Sequence, residues 1–288
     1  GVQGLNLLIG VIRNKLVAIL LGPTGMGLNS LFITVQNFIS QATTFGISFS
    51  AVKHISELFD EGDEQKISHF VRVIRSWTFL TALIGMFVCI SIGPLLSDYT
   101  FTWGDHTLHF ILLAPAVAMI AIMGGEMAIL KALRQMRLLA RITTAGALST
   151  LCICVACYWL LGLDGVLPSL VLSGAALYLL FLAATVRLVP WAVTLRSVHY
   201  LKCGLPLLKL GIGFVAAGVL TALAELIVRT YSSSSSSIAE LGLFAAGCTL
   251  TVSYARLVFL AFDADYYPRL SAVNKLPLIH ISEPTTPY

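Results

Sequence analysis

Ionisable side chains inside long apolar runs are the residues of this sequence that could do chemistry. They are Arg13, Lys15, Glu126, Glu225, Arg229 and Arg256. An ionisable group in the middle of a bilayer costs on the order of 2.5–3.5 kcal/mol by insertion scales, so each one needs a partner or a polar cavity. Basic groups in such a cavity can bind an anion, and acidic groups can bind a coupling cation or a proton.

Arg13 and Lys15 are two residues apart, which places them roughly 200° apart around a helix, so they cannot share one face. We expect one of them to line a polar cavity and bind an anionic group, while the other reaches a headgroup or pairs with a neighbouring helix. Arg256 lies in the last apolar run. It either completes this cationic cavity or is a buried arginine bonded to carbonyls of adjacent helices.

The acidic residues allow two interpretations each. Glu126 follows Gly124 and Gly125, and is either a proton or sodium ligand or a charge near the inner membrane face. Glu225 and Arg229 stand in the favourable i,i+4 order, which favours a structural ion pair over a coupling-ion site.

No enzymatic, metal or cofactor site is predicted. The spacing of Asp105, His106 and His109 is too loose for a metal site without a further ligand. The sequence contains no P-loop, nucleophile elbow or HExxH motif. Cys154 and Cys157 form a C-x-x-C pattern, but within an apolar run we expect free thiols packed in a helix.

The elements that must position these residues are transmembrane helices. The chain is 57% hydrophobic and 11% charged, with a mean hydropathy of +0.89, whereas an average soluble domain is about 25% charged. Each apolar segment can cross a hydrocarbon core of about 30 Å. The fold class is therefore all-α, a polytopic membrane protein of about eight transmembrane helices, at 2–21, 27–50, 74–96, 108–131, 139–161, 166–188, 206–230 and 239–262.

Basic residues alternate between the connections. The connections after the even-numbered segments, counted together with the segment ends beside them, hold 14 of the 18 basic residues: Lys53, Lys66, Arg72, Arg75, Lys131, Arg134, Arg137, Arg141, Arg187, Arg196, Lys202, Lys209, Arg269 and Lys275. By the positive-inside rule these loops and the N-terminus are cytoplasmic. The net charge of +4 is small and predicts no nucleic-acid partner.

Three connections have a recognisable composition. Residues 22–26 predict a tight turn, 57–75 a solvated helix-capping linker, and the six serines at 232–237 a flexible turn. The pair Gly27-Leu28 is echoed by Gly242-Leu243, an offset of about 215 residues that would fit a six-helix repeat.

Three motifs carry a family resemblance: KLVAILLGPTGMGL at 15–28, FGIS at 45–48 with ISE at 55–57, and DYYPRL at 265–270. Over residues 1 to about 275 the chain resembles the O-antigen and oligosaccharide flippases of the multidrug/oligosaccharidyl-lipid/polysaccharide (MOP, MATE-like) superfamily. That resemblance implies two six-helix lobes. Residues 1–188 would form the N-terminal lobe, 189–205 a cytoplasmic interfacial connector, and 206–275 the first hairpin of the second lobe.

The ends of the chain are expected to be incomplete. The sequence opens inside an apolar run without an initiator methionine, and residues 276–288 are expected to be a non-native tail. We therefore expect a fragment of a longer flippase, which lacks four or more of the helices that the resemblance implies.

The resemblance also implies the activity. Such flippases move an undecaprenyl-diphosphate-linked oligosaccharide, such as a lipopolysaccharide O-antigen unit, between leaflets of the bacterial inner membrane by alternating access. They work beside a polysaccharide polymerase and a chain-length regulator. As a hypothesis, Arg13, Lys15 and Arg256 contact the diphosphate, because a cationic cavity with low-dielectric walls attracts concentrated negative charge.

Three other functions remain open. A cation-coupled multidrug exporter of the same superfamily would favour acidic cavity residues, whereas the charges inside these runs are mostly basic. A lipid II flippase would share the same charge pattern. A polysaccharide ligase or polymerase would need large periplasmic loops rich in Arg, His or Asp, and the outer loops here are short.

Overall fold

The computed structural model describes residues 2–100, 107–191, 198–252 and Ala255, and over these residues it contains helices and no strand. This confirms the all-α class. The elements are α1 (Val2–Thr43), α2 (Ile47–Glu61), α3 (Glu64–Thr100), α4 (Thr107–Ala132), α5 (Met136–Leu161), a 3-10 turn (Gly162–Gly165), α6 (Val166–Leu188), α7 (Val198–Ser235) and α8 (Ile238–Val252).

Helix α1 contains the first two predicted segments, which are separated by a break at Gly22. This residue has φ 66° and ψ −172°, a conformation that glycine adopts without a Cβ penalty. Pro23 follows and cannot donate a backbone hydrogen bond. The sequence 22–26 therefore breaks the helix where the turn was predicted.

The contacts of α1 show that the chain reverses at this break. Asn6 bonds Thr143 near the start of α5, and Gly25 lies against Leu163, beyond the end of α5. After the break, the ring of Phe32 stacks on His109 at the start of α4, with centroids 6.0 Å apart. Because α4 ends where α5 begins, the two halves of α1 run in opposite directions.

The second predicted segment ends earlier than expected. Phe45 and Gly46 both have positive φ, of 48° and 66°, so α1 ends at Thr43 rather than at residue 50. A separate helix, α2, then begins. Its buried residues Ile47, Ala51 and Ile55 recur every four positions, which is the spacing of one helix face.

The prediction of a solvated helix-capping linker at 57–75 is wrong for residues 64–75, which belong to α3. Gly62, with φ 76°, ends α2, and the Asp63 carboxylate accepts a hydrogen bond from the Lys66 backbone N–H at 3.0 Å. This is a helix N-cap, so α3 begins at Glu64 and the break is only two residues long. Arg75 is therefore a helical residue, and it is 1% exposed.

The serine run is not a flexible turn throughout. Helix α7 continues to Ser235, and serine hydroxyls bond carbonyls three or four residues earlier, as Ser232 does to Val228 at 2.8 Å. Ser237 then caps α8. Its hydroxyl accepts from the Glu240 N–H while the Glu240 carboxylate accepts from the Ser237 N–H, both at 3.3 Å.

The chain is a multi-pass membrane protein. Five helical stretches among the described residues are long and apolar enough to cross a bilayer: Gly4–Thr43, Glu64–Leu95, Thr107–Ala132, Met136–Leu188 and Val215–Ser235. The first and fourth each contain two predicted segments. Large apolar side chains face outward, including Phe87 at 71% and Trp159 at 77% exposure. Such a surface suits hydrocarbon rather than water.

The described residues divide into two compact units, one that ends at Ala245 and one that begins at Ala246. Within the first unit, α1 approaches the start of α8 at glycines. A Cβ on Gly242 would collide with the Pro23 carbonyl oxygen, and one on Gly27 would collide with that of Ile238. The lobe boundaries at 188 and 206 stay predictions, and the 276–288 tail lies outside the described residues.

Candidate functional site

A pocket with a mainly apolar lining and four polar residues lies among α1, α4, α5 and α6. Its volume is about 330 Å³, and small residues on α1 and α5 leave the space open. The lining residues are Asn6, Ile9, Gly10, Arg13, Met127, Thr143, Gly146, Ala147, Thr150, Leu177 and Phe181. Within a membrane-spanning region, one cation and three neutral polar side chains around a mainly apolar pocket indicate a place for a ligand with a small polar group.

Arg13 lines this pocket without a carboxylate partner among the described residues. Its guanidinium is half-buried, and its hydrogen bond goes to the side-chain oxygen of Asn14, at a long 3.5 Å. By contrast, Arg134 and Arg229 each hold a carboxylate oxygen within 2.7 Å. The charge of Arg13 is therefore available to an anion that enters the pocket.

The other two predicted cations have different places. Lys15 is exposed and does not line the pocket, as its angular distance from Arg13 on the helix predicts. Arg256 lies outside the described residues. The structure thus brings Arg13 together with neutral polar groups, Asn6, Thr143 and Thr150, that the charge analysis did not single out.

Glu126 is in a buried ion pair with Arg75. The Arg75 Nε donates to Glu126 Oε1 at 2.8 Å and Nη2 donates to Oε2 at 3.1 Å. Both side chains are 1% exposed. This two-point geometry suits a planar guanidinium, and it satisfies both oxygens of the carboxylate.

Arg75 also holds the end of α6. Its Nη1 donates to the carbonyl oxygens of Val189 at 3.2 Å and Pro190 at 2.9 Å. Its guanidinium carbon lies 4.9 Å from the centre of the Trp191 ring, a cation–π distance. One arginine on α3 therefore fixes α4 and the residues that follow α6.

The sequence analysis did not predict the ion pair of Arg75 with Glu126, because it assigned Arg75 to the connection between two helices. Two signals could have found it. No helix breaker stands between Glu64 and Arg75, and a carboxylate inside an apolar run calls for a cationic partner on another helix.

A comparison with known protein families shows to which family the chain belongs. A family model described as "Polysaccharide biosynthesis protein" matches residues 1–274. The chain belongs to this family. The match confirms the resemblance to the O-antigen and polysaccharide flippases. No curated protein and no solved structure matches the chain.

Other charged and thiol groups of this family member that the sequence analysis singled out have structural partners or surroundings where the structure describes them. Arg229 and Glu225 form the predicted i,i+4 ion pair, at 2.7 Å. Cys154 and Cys157 are free thiols buried in the apolar core. His109 stacks on Phe32, while Asp105 and His106 lie outside the described residues.

Proposed function

We propose that this family member is a flippase. It moves a polyprenyl-diphosphate-linked oligosaccharide, an O-antigen or similar repeat unit, from the cytoplasmic to the periplasmic leaflet of the bacterial inner membrane by alternating access. The observation that carries the proposal is Arg13, a half-buried cation in a membrane-spanning helix that lines a pocket without a carboxylate partner among the described residues. A diphosphate is an anion that would neutralise it.

The chemistry of the substrate suits such a site. The lipid tail stays in the hydrocarbon, while the diphosphate and the sugars need water or polar side chains. A guanidinium binds phosphate oxygens with directed, charge-assisted hydrogen bonds, and low-dielectric walls strengthen the attraction. Arg13 remains the proposed diphosphate contact in the pocket, and Lys15 and Arg256 remain proposed contacts as well, with Lys15 at an exposed position that does not line the pocket. We propose a transporter rather than an enzyme, acting beside a polymerase and a chain-length regulator.

Glu126 remains the proposed coupling-ion residue, with a condition that the structure adds. A sodium ion or a proton would have to compete with Arg75 for both carboxylate oxygens. Coupling through Glu126 would therefore loosen the contacts of Arg75 with Val189 and Pro190. A cation-drug exporter is less well supported, because this carboxylate is already neutralised.

The test is surface display of polysaccharide in cells that lack their own flippase and express the full-length protein. We expect Arg13→Ala, Lys15→Ala and Arg256→Ala each to abolish display while the protein accumulates normally in the membrane. Arg134→Ala is the matched control, because Arg134 pairs with Asp60 on an exposed surface. Normal display by the three variants would refute the proposed diphosphate contacts.

A lipid II flippase would give a different result in the same cells. Its loss would stop peptidoglycan synthesis, and its expression would rescue cells that lack their lipid II flippase. We expect this protein to restore surface polysaccharide and not to rescue such cells.

A further inference from the structure

Two matched sets of side chains face each other across the pocket. On α1 they are Asn6, Gly10 and Arg13, and on α5 they are Thr143, Ala147 and Thr150. Both sets have the spacing i, i+4, i+7, which repeats along one helix face. The two helix segments run in the same direction, and Asn6 Nδ2 donates to Thr143 Oγ1 at 3.4 Å. The pocket therefore has a polar end at Asn6, small residues in the middle, and a second polar end at Arg13 and Thr150.

Each polar end has unused hydrogen-bonding capacity. The Asn6 Oδ1 atom is buried and has no hydrogen-bond partner among the described residues. Thr143 cannot supply its proton, because its hydroxyl donates to the Ala140 carbonyl at 3.0 Å. At the other end, within the described part of the chain, Arg13 uses one of its five N–H groups in a hydrogen bond and keeps the others available. Seven residues of helix separate the two ends by roughly 10 Å.

We infer that this pocket binds the junction between the phosphate and the first sugar of the substrate, and that Asn6 is a specificity-determining residue. This inference rests on the proposed function. A phosphate oxygen accepts from Arg13 and from the Thr150 hydroxyl. A hydroxyl or acetamido N–H of the sugar donates to Asn6 Oδ1. A volume of about 330 Å³ is at the small end for ligand pockets, so it takes one sugar rather than a repeat unit.

A phospholipid headgroup could offer related chemistry. The shared requirement is a phosphate ester with a hydrogen-bond donor within about 10 Å, and the glycerol headgroup of phosphatidylglycerol also meets it. The experiment must therefore separate a sugar-bearing substrate from a lipid of the bilayer.

The test measures binding to the purified full-length protein in detergent. The probes are undecaprenyl diphosphate carrying one N-acetylglucosamine, undecaprenyl diphosphate without sugar, and dioleoylphosphatidylglycerol. We expect Asn6→Ala to weaken binding of the sugar-bearing probe about tenfold, the effect of one buried hydrogen bond, and to leave the sugar-free probe unchanged. Arg13→Ala and Thr150→Val should weaken both diphosphate probes. Thr144→Val is the control on the same helix, because Thr144 does not line the pocket.

Asn6→Asp provides a second variant of nearly the same shape. Its carboxylate should repel the phosphate and weaken both diphosphate probes, which keeps the test available if Asn6→Ala does not fold. Equal binding of the sugar-bearing probe by Asn6→Ala and wild type would overturn the inference. So would phosphatidylglycerol that binds as tightly and depends equally on Asn6. If neither diphosphate probe binds the wild type, the proposed function fails as well.

Discussion

Arg13 and Glu126, two charged residues of the apolar runs, have opposite surroundings. Glu126 has both oxygens bonded to Arg75, and each partner is 1% exposed. Arg13 has a long bond to Asn14 and an open pocket beside it. Removing one member of a buried pair leaves the other charge uncompensated in a medium of low dielectric. The first site should therefore matter for stability and the second for binding.

Breaking the buried pair should destabilise the protein strongly. We expect Arg75→Ala and Glu126→Ala each to lower the free energy of unfolding by about 3–5 kcal/mol. The double variant should cost less than the sum of the two, because neither charge is then left unpaired. Unfolding by sodium dodecyl sulfate in mixed micelles measures these differences.

The exposed pair of Arg134 and Asp60 serves as the control for that experiment. Its side chains are 62% and 61% exposed, and Arg134→Ala should cost less than about 1 kcal/mol. Additive effects of Arg75→Ala and Glu126→Ala would contradict the direct pairing of these residues.

The cap at Asp63 should give α3 a pH-dependent contribution to stability. The backbone N–H of Lys66, and then its ammonium group, lower the pKa of the Asp63 carboxyl below its ordinary value of 3.8. A lowered pKa in the folded state means that the contribution is present above 3.8 and is lost as the pH falls through the folded pKa.

The stability difference between wild type and Asp63→Ala should follow this pH dependence. We expect a clear difference at pH 7 that shrinks as the pH falls below 3.8. Unfolding in detergent at several pH values measures it. Asp63→Asn is the informative comparison, because its side-chain oxygen still caps the helix but does not titrate. A difference that grows towards low pH would contradict the assignment.

At the scale of elements, the close approach of α1 to α8 depends on glycine. The missing side chain of Gly242 leaves room for the Pro23 carbonyl, and that carbonyl belongs to a rigid turn at a helix break. Backbone atoms cannot move aside as a flexible side chain can. The contact therefore joins the break in α1 to the first turns of α8.

A single methyl group at Gly242 should disturb this contact. We expect Gly242→Ala to lower the free energy of unfolding by about 1–3 kcal/mol, because the added Cβ collides with backbone. Gly247→Ala in the same helix is the control. No atom of the described residues lies within 4 Å of its added Cβ, so that variant should be neutral or slightly more stable. Thermal unfolding in detergent compares the two, and equal melting temperatures would contradict the contact.

At the scale of the whole molecule, the order of helix ends predicts two faces of the membrane. The break before α3 and the turn between α4 and α5 lie at one end of the bundle. The turn between α5 and α6 lies at the opposite end, beside the break in α1. The basic residues concentrate at the first end, which the positive-inside rule assigns to the cytoplasm.

Labelling of single introduced cysteines, in a variant that lacks the six native ones, should show on which side of the membrane each position lies. We expect Gln65→Cys and Gln135→Cys to react with a membrane-impermeant maleimide only after the cells are broken and the cytoplasmic face of the membrane becomes accessible. Asp164→Cys and Ser236→Cys should react in intact cells. All four positions are exposed, so access to the side of the membrane decides the result. The reverse pattern would invert the proposed orientation.

The sequence by itself determined the class of this protein and most of its helices. In a bilayer, the backbone N–H and C=O groups of an apolar run of about 20 residues find hydrogen-bond partners within the run only if it is helical. This constraint is local. Gly22 and Pro23 marked the turn of the first hairpin because their backbone restrictions are local too. The motifs at 15–28 and 265–270 predicted the family that the comparison then showed.

The tertiary structure alone decided which polar groups meet. Arg75 and Glu126 are 51 residues apart in sequence, and Asn6 and Thr143 are 137 apart. Periodicity places a side chain on a helix face but does not say which helix that face will contact. For the same reason the charge analysis identified Arg13 but not the neutral residues beside it. Which side chains from distant parts of the sequence come into contact depends on how the helices pack, and that packing depends on the whole bundle.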